Sequence, residues 1–239
     1  MTMPMYDRGA PEDPVIIDRW SGGLGWLAYP DETGMRASHA FVGDNGGVWV
    51  VDPLDAPGID DELETLGEVT GVVVLSNYHA RDADTFAARH DVPVFLPQWL
   101  SRVAEQIENP SEYVVENIGT SGFEIRRCAP FPGWDEAIAY READGTLYVP
   151  DVLGTAPLFT VGEERLGTYL LCRLFPPRGA FEDVSPERIL VGHGTGLFEN
   201  APTALTDALA GARRRFPAAL LQNGWGQIRA LTAALGSGR

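Results

Sequence analysis

The chain of 239 residues contains no lysine, so its 18 basic side chains are all arginines. It has 34 aspartates and glutamates, which gives a formal net charge of -16 at pH 7 with histidine counted as neutral. A surface with this excess of negative charge repels the phosphate backbone of nucleic acids. We therefore expect no nucleic-acid partner.

Cysteine and long apolar runs are also scarce. Cys128 and Cys172 form no CxxC pattern, so we interpret them as free thiols of a reducing compartment. No run approaches 18 apolar residues, and residues 1–14 lack the basic and apolar regions of a signal peptide. We expect residues 1–14 to be disordered or loosely held. The acidic excess without lysine is typical of haloarchaeal cytoplasmic proteins, which predicts a cytoplasmic, halophilic protein without membrane contact.

The chain is long and apolar enough to form one domain over residues 1–239, with 44% hydrophobic residues. Short β-branched and aromatic runs separated by glycine-bearing turns predict strands in the first half and again between residues 112 and 150. Spacing of apolar residues predicts helices at 59–69, 78–90, 99–108, 201–216 and 219–235. This order predicts an α/β fold in which helices cover two mixed sheets.

Three candidate site residues come directly after predicted strands. His79 follows the apolar run at 71–76, Asp151 follows 146–150, and His193 stands between two glycines after 188–191. Asp82, three residues after His79, would lie on the same face of a helix start and could hold a cation with it. Because α/β proteins bind ligands at the carboxyl ends of strands, these side chains form a candidate metal site.

Each of these residues also has a purely structural interpretation. His79 and Asp82 could be a hydrogen-bonded pair at a helix start, where the helix dipole favours the carboxylate. His193 could be a buried histidine with satisfied hydrogen bonds, and Asp151 could cap the turn that follows it. The residues alone leave both interpretations open.

Taken in order, these segments resemble the metallo-β-lactamase fold superfamily. The similarity extends over most of residues 37–209 and includes an early hairpin that ends on Asp52. Proteins of that superfamily carry a Thr-His-x-His-x-Asp-His loop, a Pro-Gly-His segment, a later aspartate that bridges two metal ions, and a final histidine. The resemblance implies a single-domain, four-layer αββα sandwich of two mixed β-sheets.

The metal-binding pattern is degenerate in this chain. In the loop, Ser76 takes the place of the threonine, and Trp134 or Gly133 takes the place of the histidine in Pro-Gly-His. The other loop positions are occupied by Asn77 for the first histidine, His79 for the second, Arg81 for the aspartate and Asp82 for the last histidine. The loop has thus lost two metal ligands and exchanged one, and the Pro-Gly-His ligand is lost as well, so the resemblance implies at most one ion.

The resemblance implies a hydrolase-like protein that acts on a small ester, thioester or lactone. One Zn, Mn or Fe ion would be held by Asp82, Asp151 and His193 with help from His79, and the catalytic residues would be Asp82 and Asp151. Residues that would support the ligands or substitute for the metal are Asn77, Arg81, Asp52, Trp134 and Glu136.

The alternative is a catalytically inactive, metal-free member of the fold that serves as a binding or scaffold protein. Arg81 would then place its guanidinium on Asp151 or Asp82 and neutralise the acidic cluster without an ion. The direction of the Arg81 side chain distinguishes the two hypotheses.

Overall fold

The computed structural model describes residues 4–235, with side chains as far as Gln227. These residues form thirteen strands and four α-helices, besides three short 3-10 helices. In chain order the elements are β1 (Val15–Trp20), β2 (Gly23–Leu27), β3 (Ala37–Val42), β4 (Val48–Val51), α1 (Ile59–Glu64), β5 (Val69–Val73), α2 (Ala83–His90), β6 (Val94–Pro97), α3 (Ser101–Ala104), β7 (Ser111–Val114), β8 (Glu124–Cys128), β9 (Glu136–Arg141), β10 (Thr146–Val149), β11 (Leu153–Gly154), β12 (Gly167–Thr168), β13 (Arg188–Val191) and α4 (Ala201–Leu235).

Both large sheets are mixed. The first has seven strands in sequence order from β1 to β7, antiparallel from β1 to β4 and parallel from β4 to β7. The second has the order β13-β10-β9-β8, in which β10 and β13 run parallel and the other pairs are antiparallel. Strands β11 and β12 form a small separate hairpin.

Three layers of apolar side chains hold four layers of secondary structure together. Phe41 and Phe123 belong to the cluster between the two sheets. Leu63 of α1 and Phe86 of α2 pack on the outer face of the first sheet. Leu205 of α4 belongs to the cluster on the outer face of the second sheet. The prediction of an α/β sandwich with two mixed sheets and helices outside is therefore confirmed.

The helix predicted over 99–108 is shorter than expected. Only Ser101–Ala104 is helical, because the Asp84 carboxylate accepts hydrogen bonds from the backbone nitrogens of Glu108 and Asn109 at 3.0 and 2.9 Å. These bonds compete with the continuation of the helix.

The prediction of two C-terminal helices is wrong, because Ala201–Leu235 is one helix that contains Pro217. Pro217 removes one backbone donor, but side chains beyond it fasten the helix to the domain. Gln227 donates to the carbonyl of Leu158 at 2.8 Å, and Asn223 donates to the carbonyl of Thr160 at 3.0 Å. No helix among residues 4–235 combines the length, apolar character and low charge of a bilayer-spanning segment.

The N-terminal segment is fastened where the structure describes it. The backbone nitrogens of Thr33 and Gly34 donate to the carbonyls of Pro4 and Met5 at 2.8 and 2.9 Å. The Tyr6 ring lies 5.1 Å from the Arg36 guanidinium. Residues 4–6 thus contact the segment 33–36, while residues 1–3 lie outside the described residues.

Candidate metal centre

Three side chains from different parts of the chain converge at one edge of the sandwich. His79 lies between β5 and α2, Asp151 comes two residues after β10, and His193 comes two residues after β13. Atom Oδ1 of Asp151 lies 3.1 Å from Nε2 of His79 and 3.2 Å from Nε2 of His193. All three residues are buried. Because β10 and β13 are parallel neighbours, their carboxyl ends bring Asp151 and His193 together.

The second nitrogen of each histidine is engaged by an acceptor. Nδ1 of His79 lies 2.9 Å from Oδ2 of Asp52, and Nδ1 of His193 lies 2.7 Å from the carbonyl oxygen of Gly34. Carboxylate and carbonyl oxygens accept hydrogen bonds, which assigns a proton to each Nδ1. The two Nε2 atoms therefore face Oδ1 of the Asp151 carboxylate. A positive charge between the two nitrogens and this oxygen would stabilise the arrangement.

Asp52 is held rigidly as the partner of His79. Its Oδ1 accepts the backbone N–H of Leu75 at 2.9 Å, and its Oδ2 accepts the hydroxyl of Tyr148 at 2.6 Å. Its backbone adopts a φ of 45°, which aspartate tolerates better than most residues. These contacts orient the imidazole of His79.

Asp151 offers one free carboxylate oxygen to the centre. Its Oδ2 accepts the hydroxyl of Ser76 at 2.5 Å, which leaves Oδ1 for the histidines. Burial raises the pKa of Asp151, but the charges and hydrogen bonds of His79 and His193 hold it well below its usual range. Asp151 is therefore a carboxylate and not a carboxylic acid, as a metal ligand must be.

The environment of His79 attracts positive charge. Burial and the Arg81 guanidinium lower the pKa of His79, whereas the carboxylates of Asp151 and Asp52 raise it, and the net direction is upward. The two carboxylates thus prevail over burial and over the neighbouring arginine.

Arg81 points inward, but it does not bind either predicted carboxylate. Its Nη1 donates to the carbonyls of Ala37 and Asp52 at 2.6 and 2.7 Å, and its Nη2 donates to the carbonyl of Gly192 at 3.3 Å. The same Nη2 lies 3.2 Å from Nε2 of His79. The expected fork onto Asp151 or Asp82 is absent from the described contacts of Arg81, because backbone carbonyls occupy its Nη1 and Nη2, while its buried Nε has no partner among the described residues.

Asp82 and Asn77 lie outside the cluster, contrary to the prediction for Asp82 as a ligand. Among the described residues, the group with ligand atoms within 4.8 Å of one another consists of His79, Asp151 and His193. The Asp82 carboxylate turns toward the loop after β4 and accepts the backbone N–H of Asp55 at 2.8 Å. The Asn77 amide oxygen accepts the backbone N–H of Val103 at 3.3 Å.

Trp134 and Glu136 form a layer next to Asp151. One oxygen of the buried Glu136 accepts the backbone N–H of Val152 at 3.1 Å, and the other accepts the indole N–H of Trp134 at 3.2 Å. Burial and then the charge of Asp151 raise the pKa of Glu136 well above its usual range. Both residues therefore support the Asp151 loop and are not part of the ligand cluster.

Sequence reasoning missed three groups that hold the centre. The Ser76 hydroxyl occupies the position of the motif threonine, which was a usable signal. Tyr148 lies inside a predicted strand, and its side chain carries no sequence sign of contact with Asp52. The Gly34 acceptor is a backbone carbonyl, which no side-chain pattern reveals.

The residues present fit a single metal ion. Two imidazole nitrogens and one carboxylate oxygen form a donor set suited to Zn, Mn or Fe(II). Bonds of about 2.0–2.1 Å in a tetrahedral site place ligand atoms roughly 3.4 Å apart, close to the two separations measured around Asp151. Each histidine also has the outer hydrogen-bond partner that metal-bound histidines usually have.

Comparison with known proteins extends the description of the fold. No protein-family model matches the sequence, and no curated protein matches it. Among solved structures, the DIM-1 metallo-beta-lactamase aligns with a TM-score of 0.59 at 12% identity, over 85% of this chain and 100% of that one. The metallo-beta-lactamase from Pontibacter korlensis aligns with a TM-score of 0.58 at 13% identity, over 83% and 99%. The chain therefore has the metallo-β-lactamase fold.

Proposed function

We propose that the protein is a metal-dependent hydrolase with one metal ion, held by His79, Asp151 and His193, and that it acts on a small ester, thioester or lactone. The observation that carries this proposal is the convergence of two Nε2 atoms on one carboxylate oxygen, with both Nδ1 atoms engaged elsewhere. A bound Zn, Mn or Fe ion would act as a Lewis acid and lower the pKa of water toward neutrality.

The chain's own residues supply orientation for this chemistry. Asp52 fixes the ring of His79, and the Gly34 carbonyl fixes the ring of His193. Ser76 holds Oδ2 of Asp151, so the carboxylate presents Oδ1 to the centre. These contacts prepare the site before ligand binding, which reduces the cost of ordering it.

The proposal is limited to one ion because the residues aligned with the other ligands of the superfamily are engaged elsewhere or cannot bind a metal. Asn77 accepts a backbone hydrogen bond from Val103, and Trp134 donates to Glu136. Arg81 carries a permanent positive charge close to His79, which opposes a second cation. The site is therefore degenerate, because it lacks the ligands for a second ion.

One observation favours the alternative of a metal-free binding protein. The Arg81 guanidinium lies 3.2 Å from Nε2 of His79, so it could supply positive charge to the cluster without an ion. In that case the fold would serve as a binding module. Under either proposal the acidic, lysine-free chain belongs in a cytoplasm rich in salt, without nucleic-acid or membrane partners.

Metal content tests the proposal directly. Protein purified without chelator in molar KCl is analysed for metals beside a variant with Asp151→Ala and His193→Ala. A second variant, Asp60→Ala with His90→Ala, removes a histidine and an aspartate that lie 3.2 Å apart outside the centre and serves as the matched control. We expect about one Zn, Mn or Fe per chain in the parent and the control, and loss of metal in the first variant.

Hydrolysis of an ester, a thioester and a lactone is then measured in the same three proteins. Activity that follows the metal content supports the hydrolase. Absence of metal from the parent after soaking with each ion would exclude the metal-dependent proposal and favour the binding module.

A further inference from the structure

A second feature beside the metal centre is a cavity lined by aromatic side chains. Its volume is about 220 Å³, and its walls include Tyr78, Phe131, Trp134, Tyr169 and Leu171. No described residue that lines it carries a charge. It is smaller than the pockets of roughly 300–1,000 Å³ that bind drug-sized ligands, whereas an apolar cavity of about 150 Å³ binds benzene. Its size therefore fits one aromatic ring.

Trp134 is the centre of the aromatic wall. Its ring centroid lies 4.9 Å from that of Tyr169, 5.6 Å from that of Phe131 and 6.3 Å from that of Tyr78. The ring planes are tilted by 48° to 57°. Tilted and edge-to-face contacts are the arrangements that aromatic rings prefer, so a further flat ring can pack against this wall.

Two residues, Ser76 and Glu136, connect the cavity wall to the metal centre by hydrogen bonds. The Ser76 hydroxyl accepts the backbone N–H of Tyr78 at 3.2 Å and donates to Asp151. Trp134 reaches the Asp151 loop through Glu136. The cavity wall and the centre are thus linked through Ser76 and Glu136.

We propose that this cavity binds a single aromatic ring of the substrate, so that the enzyme prefers aryl-acyl esters or thioesters to small aliphatic ones. This inference rests on the proposed hydrolase function for its substrate. In the reaction, one water adds to the acyl carbon of a thioester, the carbon–sulfur bond breaks, and a carboxylic acid and a thiol leave.

Binding is tested with benzyl alcohol, a neutral aromatic compound without a hydrolysable bond, by calorimetry and ligand-observed NMR. The test variant is Leu171→Glu, because Leu171 lines the cavity and is 41% exposed, so the core stays intact. The matched control is Leu174→Glu, at a residue 37% exposed that is not part of the cavity wall. We expect benzyl alcohol to bind the parent and the control, with at least about tenfold weaker binding to Leu171→Glu.

Substrate preference is tested with the phenylacetyl and acetyl thioesters of one thiol. We expect kcat/KM to favour phenylacetyl by about tenfold or more in the parent and the control, and this preference to disappear in Leu171→Glu. Equal kcat/KM values in the parent would overturn the cavity inference and leave the hydrolase function supported.

Two further outcomes separate the proposals. If benzyl alcohol binding is the same in Leu171→Glu as in the parent, the cavity is not the ring site. If neither thioester is hydrolysed while benzyl alcohol binding still depends on Leu171, the hydrolase function fails and the assignment of the cavity as a ring site stands. Binding is measured with and without EDTA, so this readout does not depend on a loaded metal centre.

Discussion

Two inward-pointing arginines of this protein, Arg173 and Arg81, have different kinds of hydrogen-bond partner. Arg173 is fully buried and forks onto the fully buried Glu164, with nitrogen–oxygen distances of 2.9 and 2.6 Å. Arg81 donates to three backbone carbonyls and makes no such fork onto Asp151. The carboxylate near Arg81 is instead bounded by His79 and His193.

This difference indicates what each arginine does. A bidentate guanidinium can satisfy a buried carboxylate without an ion, and Arg173 holds Glu164 in this way. Among the described residues, the hydrogen-bond partners of the Asp151 carboxylate are Ser76, His79 and His193, none of which carries a permanent charge, although Arg81 is close by. Arg81 therefore ties together the strand ends around the centre, and under the metal-dependent proposal the charge of Asp151 would be available to the ion. The comparison favours the metal-dependent proposal over the metal-free one.

Breaking the Arg173–Glu164 ion pair is expected to have the largest effect on the free energy of unfolding. Arg173→Met leaves Glu164 buried without its forked partner, and Arg215 at 3.4 Å compensates only in part. We expect the free energy of unfolding to fall by about 3–5 kcal/mol in chemical denaturation. The control is Arg127→Met, which breaks an ion pair whose arginine is 56% exposed and is expected to cost less than about 1 kcal/mol. Similar losses in the two variants would show that burial does not strengthen the Arg173 pair.

Arg81→Met tests the other side of the comparison. The carbonyls of Ala37 and Asp52 lose a charged donor, so we expect the free energy of unfolding to fall by about 2 kcal/mol in metal-free protein. If the centre binds zinc, we expect removal of the positive charge to raise the affinity for zinc and so to increase the stabilisation by zinc in the same denaturation experiment. A loss as large as that of Arg173→Met, without stronger zinc binding, would identify Arg81 as the internal cation of a metal-free protein.

The sequence was sufficient for the features that depend on neighbouring residues. The apolar run of β5 and the spacing of Ala83, Phe86 and Ala87 predicted a buried strand and the helix after it. The positions of His79, Asp151 and His193 after strands predicted one site, because carboxyl ends of strands meet at one edge. These predictions needed only local patterns and a general rule of sheet topology.

Features that depend on distant contacts could not be predicted. The direction of Arg81 is determined by the carbonyls of Ala37 and Gly192, which lie 44 and 111 residues away in sequence. The continuity of α4 through Pro217 depends on Gln227 and its contacts with a distant loop. Asp82 was expected at the centre because of its spacing from His79, but the backbone of Asp55 competes for its carboxylate.

Asp144 provides the test with the smallest expected effect. Like Glu164, its carboxylate is held by both ends of one guanidinium, but unlike Glu164 it is partly exposed. Arg141 donates to its two oxygens at 3.0 and 2.8 Å, and Arg188 donates at 2.8 Å. Burial raises the pKa of Asp144, but these hydrogen bonds and charges, with Thr146, bring it to about 2. The unfolded value is about 3.9.

Because the folded pKa is the lower one, the stabilisation by Asp144 is fully present above about pH 4 and is lost as the pH falls toward 2. Solvent screening of a side chain that is 32% exposed reduces this contribution to about 1 kcal/mol. We expect Asp144→Asn to unfold more easily than the parent by this amount at pH 7, and the difference to vanish near pH 2. Asp31→Asn, at an exposed position, serves as the control and should show no such convergence. A difference between Asp144→Asn and the parent that stays constant from pH 7 to pH 2 would contradict this expectation. It would show that the forked contact stabilises the protein through shape and hydrogen bonding, and not through the negative charge of the Asp144 carboxylate.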